Sequence, residues 1–318
     1  MGRCAGIARG VRVGDDLRSM ETLSTLSTEA RNPATERMDQ LPTREMLRVM
    51  NAEDATVAAA VAAELDAIAA VVDAVAARME RGGRLFYLGA GTSGRLGVLD
   101  ASECPPTFSV APTLVQGLIA GGDGALRRSS EQSEDSLEEG ARDLAAAGFG
   151  GLDALVGIAA SGRTPYVLGG LAYARSLGAL TVGLSCVADS AVARSAELAI
   201  SPQTGAEVLT GSTRLKAGTA TKLVLNMIST GVMIKTGAVY GNLMVNVQPT
   251  NAKLVDRAER IIVAATGCER TTAARLLAET GSVKVAIVMQ QLGLGMDAAQ
   301  ERLAGARGRL AEALAQQG

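Results

Sequence analysis

Two short runs of glycine, serine and threonine could bind a phosphate through hydroxyl groups and main-chain amides. They are Gly89-Ala-Gly-Thr-Ser-Gly94 and Ala160-Ser-Gly-Arg-Thr164, and each follows an apolar segment and precedes a helix-like one. A helix N-terminus directs unpaired N–H groups at a bound anion, and the helix dipole favours negative charge there. Two such turns in one chain predict a cradle for a phosphorylated small molecule. The candidate phosphate-binding residues are Thr92, Ser93, Ser161, Gly162 and Thr164.

The same turns could instead do no more than begin two helices. Serine and threonine are typical N-cap residues, and Pro165 stands at the favoured first helical position. Taken singly, each turn is more typical of a cap than of a binding site. Together they favour a ligand, because both should emerge at the carboxyl edge of one parallel sheet, where open α/β folds bind ligands. Arg95 and Arg163 are secondary candidates for contacting the anion.

A dinucleotide site fits the first turn poorly. Gly89, Gly91 and Gly94 satisfy the GxGxxG pattern, but such a unit needs an acidic residue about 20 positions further on for the ribose. No acidic residue stands between Glu103 and Asp123. The GK[ST] ending of a P-loop is missing as well.

The composition narrows the chemistry further. The 318 residues include no histidine, which excludes Ser-His-Asp and Cys-His catalysis and histidine-ligated metals, so proton transfer must fall to other side chains.

A net charge of −2 without a basic cluster argues against nucleic acid as a partner. Four widely spaced cysteines, without a CxxC pair, fit a reducing cytoplasm. No apolar run approaches the ~20 residues of a membrane span, so no membrane is expected.

The elements that must position the turns follow the rhythm of an α/β protein. Apolar runs at 85–88, 113–119, 155–160 and 180–184 alternate with helix-like segments, which predicts a doubly wound parallel sheet. We expect an irregular lead-in over 27–50, one amphipathic helix over 52–81 and a buried helix over 214–235. Three short helices, broken at Gly267, Gly281 and 293–295, should form a small C-terminal appendage. The predicted domains are a disordered tail (1–26), a sugar-phosphate domain (27–255) and a helical domain (256–318).

A longer run resembles the signature of a known family. Gly91-Thr-Ser-Gly-Arg-Leu-Gly-Val-Leu-Asp-Ala-Ser-Glu-Cys-Pro-Pro-Thr-Phe108 is similar to the N-acetylmuramic acid 6-phosphate etherases, which have the sugar isomerase (SIS) fold. Supporting runs are Thr28–Pro33, Glu45–Arg48, Thr210–Thr219 and Val283–Met289. The resemblance implies a cytoplasmic homodimer of cell-wall sugar recycling that converts N-acetylmuramate 6-phosphate and water to N-acetylglucosamine 6-phosphate and D-lactate. The elimination and hydration that this reaction needs call for no metal or organic cofactor.

The resemblance also assigns catalytic residues. The family's catalytic acid falls on Glu103, and its second glutamate falls on Glu134 in Glu131-Gln-Ser-Glu-Asp-Ser136, which departs from the usual Glu-Gly-Ala-Glu-Asp-Asp. We assign Glu103 to protonate the departing lactate and Glu134 to take the proton from C2, although the two roles could be exchanged. Ser212 and Lys216, inside a matched run, are further candidates for the phosphate.

Without the resemblance, these residues have ordinary explanations. Glu103 could be a surface acid at the end of a helix stopped by Pro105 and Pro106, and Glu134 could be one of several acids on a solvated face. Lys216 could simply flank a helix. A sugar-phosphate isomerase and a non-catalytic sugar-phosphate regulator on the same fold are the alternative functions. A DNA-binding repressor would need a basic helix-turn-helix segment, and residues 1–60 contain none.

Overall fold

The computed structural model of the protein describes residues 27–128 and 131–315. Its centre is a five-stranded parallel sheet with the strand order β2-β1-β3-β4-β5. The strands are β1 (Leu85–Gly89), β2 (Val115–Ile119), β3 (Ala154–Ile158), β4 (Leu180–Leu184) and β5 (Leu198–Ile200). This sheet confirms the predicted doubly wound α/β fold. Strand β5 was not predicted, because three residues are too few to show a hydrophobic pattern. The tail expected over 1–26 lies outside the described residues.

Helices flank the sheet and form the C-terminal region. They are α1 (Thr43–Asp54), α2 (Val57–Ala62), α3 (Leu65–Met79), α4 (Gly91–Phe108), α5 (Glu131–Glu134), α6 (Leu137–Ala146), α7 (Pro165–Ser176), α8 (Ala191–Ser195), α9 (Lys216–Lys235), α10 (Ala252–Thr266), α11 (Arg270–Thr280), α12 (Val283–Leu292), α13 (Met296–Gly305) and α14 (Leu310–Ala315). Among the described residues, no single helix is long and apolar enough to cross a bilayer. Only one pair of the described helical segments has the length and composition of a membrane span, Thr43–Ala62 with Leu65–Met79, and the two are bent by 57° relative to each other.

The N-terminal region differs from the predicted lead-in and single helix. Helix α1 occupies the last third of the segment expected to be irregular. It was missed because its apolar stripe is short (Met46, Val49 and Met50) and only half-buried. The helix expected over 52–81 is broken between α2 and α3. At this break the Glu64 carboxylate accepts the backbone N–H of Ser201 at 2.9 Å, a long-range contact that local sequence cannot reveal.

Both faces of the sheet are buried, and β1 shows this directly. Leu85 and Tyr87 pack with α3, α4 and α9, whereas Phe86 and Leu88 pack with α6 and α7 on the other face. All four side chains are fully buried. Alternate residues of the strand therefore serve two separate hydrophobic layers, as expected for a sheet covered on both sides.

The C-terminal helices have a hydrophobic cluster of their own. This cluster combines α10 to α14 with Val245 and Val247, which precede the predicted boundary at residue 256. The predicted breaks at Gly267, Gly281 and Gly293 are confirmed, because each glycine ends a helix in the left-handed conformation. The described region contains five helices rather than the three expected: the three breaks alone separate four helices, and an additional turn at residues 306–309 separates α14 from α13. The domain limits remain a prediction.

Helices α6 and α7 cross at a contact that only glycine permits. A Cβ on Gly169 would lie 1.7 Å from the Leu137 carbonyl oxygen, and one on Gly140 would lie 2.0 Å from the Tyr166 carbonyl oxygen. Backbone atoms cannot move aside as a flexible side chain can. The close approach therefore fixes the position of α7, whose N-terminus follows the second glycine turn.

The substitution Gly169→Ala should lower the free energy of unfolding by about 1–3 kcal/mol, because the added methyl group overpacks this crossing. Urea denaturation of the full chain measures the effect. Gly305→Ala is the matched control: a Cβ at this helical position meets nothing within 4 Å, so stability should stay equal or rise slightly. Equal stability of Gly169→Ala and wild type would show that the crossing is looser than described.

Candidate functional site

The two glycine turns lie side by side at the carboxyl edge of the sheet. Strands β1 and β3 are parallel neighbours, and their last residues, Gly89 and Ile158, are paired in register. Helix α4 begins at Gly91 immediately after β1, and α7 begins at Pro165 after the second turn. The shared position expected from the sequence is therefore confirmed. Two helix N-termini border the space in front of this edge.

Capping does not account for the hydroxyl groups of these turns. The N-cap of α4 is Ala90, and no side chain there makes a capping hydrogen bond. Thr164 is the N-cap of α7, with Pro165 following as expected, but its side chain also makes no capping hydrogen bond. Thr92, Ser93 and Ser161 are half-buried. Within the described part of the chain, Thr164 therefore holds the N-cap position, but no capping hydrogen bond occupies the hydroxyl groups of these turns.

The second turn is held in place by its own backbone. Gly162 has a φ of +70°, its N–H donates to the Ala159 carbonyl, and its carbonyl accepts the N–H of Val192. A Cβ on Gly162 would lie 2.2 Å from the Ser190 Cβ atom. Ser190 in turn lies 2.9 Å, Oγ to Oγ, from Ser185 at the end of β4. Gly162 is therefore required for the shape of the turn, whether or not it also contacts a ligand.

A third segment, the start of α9, reaches the same place. A Cβ on Gly218 would lie 3.4 Å from the Thr213 carbonyl oxygen and 3.5 Å from the Thr92 side chain. The N–H of Cys186 donates to the Ala160 carbonyl. The Cys186 Sγ atom lies 3.8 Å from the Ala217 carbonyl oxygen. The residues predicted to bind phosphate, including half-buried Ser212, thus come from three segments that converge.

Lys216 does not face the phosphate turns as predicted. It is 4% exposed, and its Nζ atom pairs with a Glu53 carboxylate oxygen at 2.7 Å and donates to the Ala206 carbonyl at 2.9 Å. The fully buried Glu207 carboxylate accepts the N–H groups of Lys216 and Ala217, both at 2.9 Å. Glu207 therefore occupies the anion-binding end of α9, and the geometry favours a positioning role for Lys216. Sequence analysis missed Glu53 and Glu207, and only the position of Glu207 just before the matched run hinted at it.

The guanidinium group of Arg95 is also engaged elsewhere. It donates to the carbonyl oxygens of Ala125 at 2.7 Å and Leu126 at 3.0 Å, in the 3₁₀ helix Asp123–Leu126. Arg95 is therefore corrected from a phosphate candidate to a residue that fixes the segment leading to Glu134. Arg163 is half-buried beside the second turn.

The two candidate glutamates occupy different surroundings. Glu103 is exposed on α4, which continues through Pro105 and Pro106 to Phe108 instead of stopping at the prolines as the surface-acid explanation assumed. Glu134 is half-buried at the end of α5, and α5 packs against α7. Cys104, next to Glu103, is buried, and burial raises the pKa of its thiol to about 12, so it packs as an unreactive thiol.

Glu103 lies far from the first glycine turn of its own chain. It stands twelve residues after Gly91, the first residue of α4. At about 1.5 Å per residue, the two positions are about 18 Å apart along the helix axis. Glu134 belongs to the segment that follows β2, the strand next to β1. A single chain therefore presents the three turn segments together but holds Glu103 at the far end of α4.

The similarity to known proteins extends along almost the whole chain. An N-acetylmuramic acid 6-phosphate etherase from Pectobacterium atrosepticum is 57% identical over 293 residues, which cover 92% of this chain and 97% of that protein. The chain belongs to the N-acetylmuramic acid 6-phosphate etherase family. The etherase from Salmonella schwarzengrund is likewise 57% identical, with 92% of this chain and 99% of that protein covered.

Two broader comparisons concern the etherase fold. Residues 67–175 match the family model of the glucokinase regulatory protein N-terminal SIS domain. A phosphoheptose isomerase structure from Francisella tularensis is 18% identical with a TM-score of 0.46, and the alignment covers 61% of this chain and 100% of that chain.

The ion pair of half-buried Glu53 with buried Lys216 gives a pH-dependent prediction. The hydrogen bond from Lys216 is the main cause that lowers the pKa of Glu53. Glu53→Gln should therefore cost about 1–3 kcal/mol of unfolding free energy at neutral pH. Because the folded pKa lies below the unfolded one, the contribution is complete above about pH 4.3 and is lost as the pH falls through the folded pKa.

Urea denaturation of both proteins at several pH values measures this difference. Glu45→Gln, on the same helix, is the control. Because Glu45 forms an exposed ion pair with Arg48, this substitution should change the free energy of unfolding by less than about 1 kcal/mol. A difference between wild type and Glu53→Gln that does not shrink in acid would contradict the pairing.

Proposed function

We propose that this chain cleaves the D-lactyl ether of N-acetylmuramic acid 6-phosphate, giving N-acetylglucosamine 6-phosphate and D-lactate. One observation carries the proposal: a chain 57% identical to etherases has two Ser/Thr turns without side-chain caps side by side at the carboxyl edge of the sheet. First-turn amides of α4 and α7 and the hydroxyls of Thr92, Ser93, Ser161 and Thr164 would hold the phosphate. The role fits cell-wall sugar recycling in the cytoplasm.

The reaction needs two proton-transferring groups in opposite protonation states. In the open-chain sugar, the C1 aldehyde acidifies the hydrogen on C2, and a base removes it. An acid protonates the lactyl oxygen as the C3–O bond breaks, and water then adds to C3 of the unsaturated aldehyde while a proton returns to C2. Glu134 is proposed as the base and Glu103 as the acid. Well-placed groups of this kind contribute typically ~10²–10⁴-fold each.

The length of α4 supports a second copy of the chain at each proposed site. Six bonds of about 1.5 Å join the phosphorus to the lactyl oxygen, so the two atoms lie at most about 9 Å apart. Glu103 stands about 18 Å along α4 from the end where the phosphate binds, which is too far for its side chain to bridge. The proposed site therefore combines the turns of one chain with Glu103 of another.

Exposed apolar side chains support this pairing. Leu99, one turn before Glu103 on α4, is 50% exposed, and Met227 and Ile234 on α9 are 39% and 51% exposed. Helix α9 packs against α4, so the three residues belong to one pair of helices. A homodimer that covers this surface would bury apolar area and bring Glu103 to the partner's turns.

Both Glu103→Gln and Glu134→Gln should lower kcat for lactate release by at least ~10²-fold, because each removes a proton-transferring group. The measurement is D-lactate production from N-acetylmuramate 6-phosphate by purified, folded protein. Glu138→Gln, an exposed neighbour of Glu134, is the control and should keep wild-type turnover. Near-normal lactate release from either catalytic variant would remove that residue from the mechanism.

Mixed dimers test the shared site. Ser93→Ala impairs the phosphate turn and Glu103→Gln the acid, so each homodimer should be slow. In a mixed dimer one site receives both intact parts, and random pairing should restore about a quarter of wild-type activity. If Glu103 served its own chain, every mixed site would carry one defect and co-expression would restore nothing.

A further inference from the structure

A buried carboxylate on α4 has no part in the proposed proton transfers. Asp100 is 6% exposed, and it lies one helical turn before Glu103. The phenol of Tyr87 donates to Oδ2 at 2.9 Å, the amide of Asn226 donates to Oδ1 at 2.6 Å, and the hydroxyl of Ser229 donates to Oδ1 at 3.2 Å. Among the described residues, Asp100 forms no ion pair with Lys or Arg.

The partners of Asp100 come from two different elements. Tyr87 belongs to β1 beneath α4, whereas Asn226 and Ser229 belong to α9 beside it. Hydrogen bonds in two directions fix both the rotation of α4 about its axis and its position along the sheet. Burial and the neighbouring Asp100 carboxylate raise the pKa of Tyr87 well above its usual range, so the phenol stays a donor.

The rest of α4 is held mainly by packing. Its buried positions besides Asp100 are Gly94, Gly97 and Ala101, which allow close approach to the sheet, and Cys104 and Phe108, which pack in the hydrophobic core beyond Glu103. Pro105 and Pro106 lack the N–H groups that would pair with the carbonyls one turn earlier. The helix is therefore weakest in backbone hydrogen bonds directly beyond Glu103.

The rotation of α4 decides where Glu103 points. A side-chain carboxyl group stands several ångströms from the helix axis, so a roll of about 10° moves it by about 1 Å. A misplacement of about 1 Å at a reacting centre can cost ~10²-fold in rate. A buried carboxylate without a cation is also a poor way to gain stability compared with apolar packing. Geometry therefore explains Asp100 better than stability does.

We propose that Asp100 is a positioning residue that fixes the rotation of α4 and thereby aims Glu103 at the lactyl oxygen. The proposal rests on the proposed etherase function. It predicts a specific kinetic pattern, because the phosphate turn at the start of α4 is also held by its direct connection to β1. Loss of Asp100 should slow the chemical step and leave substrate binding nearly unchanged.

The test is the steady-state kinetics of lactate release by Asp100→Asn, which keeps the size of the side chain but replaces one of the two acceptor oxygens with an NH2 donor, so that the donors on β1 and α9 cannot all be satisfied. We expect kcat to fall about 10–100-fold and KM to change less than about threefold. The double variant Asp100→Asn/Asn226→Asp returns a carboxylate to the other side of the same contact and should recover most of the lost kcat.

Leu276→Ala separates positioning from stability. It leaves a cavity in the separate hydrophobic cluster of the C-terminal helices, which includes no described residue of α4, α5 or α7, so the folded variant should keep wild-type kcat despite its lower stability. All variants are compared at a temperature where circular dichroism shows them fully folded. A folded Asp100→Asn protein with kcat within twofold of wild type would overturn the inference, as would a rise in KM that matches the fall in kcat. No lactate from the wild-type protein would overturn the proposed function and this inference together.

Discussion

The parallel pairing of β1 with β3 is the constraint on which the candidate site depends. Parallel neighbours present their carboxyl ends at the same edge, so the turns after Gly89 and Ile158 have to emerge together. The crossing into α4 is so tight that a Cβ on Gly94 would lie 2.5 Å from the Gly89 carbonyl oxygen. This closeness directs the first amides of α4 forward from the sheet, where an anion can meet them.

Three helix N-termini meet near this edge, but they are used differently. The start of α9 receives the buried Glu207 carboxylate, which satisfies the N–H groups of Lys216 and Ala217. The starts of α4 and α7 receive no side-chain cap in the described part of the chain. The same electrostatic preference therefore stabilises the fold at α9 and leaves binding capacity at the other two helices.

Sequence patterns predicted what depends on local spacing. The strand–turn–helix units at β1 and β3 carry apolar runs followed by Gly, Ser and Thr, and both units and their shared edge were predicted. Residue partnerships across the chain were not predictable. Glu53 pairs with Lys216 across 163 positions, and Asp100 binds Asn226 across 126, so nothing in either neighbourhood signals the contact. Arg95 illustrates the resulting error, since a basic residue beside a phosphate turn serves instead to hold backbone carbonyls.

A chain without histidine places a heavy demand on the placement of its carboxyl groups. A carboxylic acid and a carboxylate can divide the proton transfers between them only if each is held against its own atom of the substrate. Helix α4 meets half of this demand as a stiff spacer, because it begins at the first glycine turn and holds Glu103 about 18 Å further along its axis. In the proposed dimer, the α4 helices of the two chains run in opposite directions. Each chain then binds one substrate molecule and supplies Glu103 as the acid for the substrate molecule that its partner binds. The position of Glu103 in the partner's site then depends on how firmly α4 is held. The hydrogen bonds of Asp100 to β1 and α9 hold α4 one helical turn before Glu103, where a small rotation would move the acid most directly.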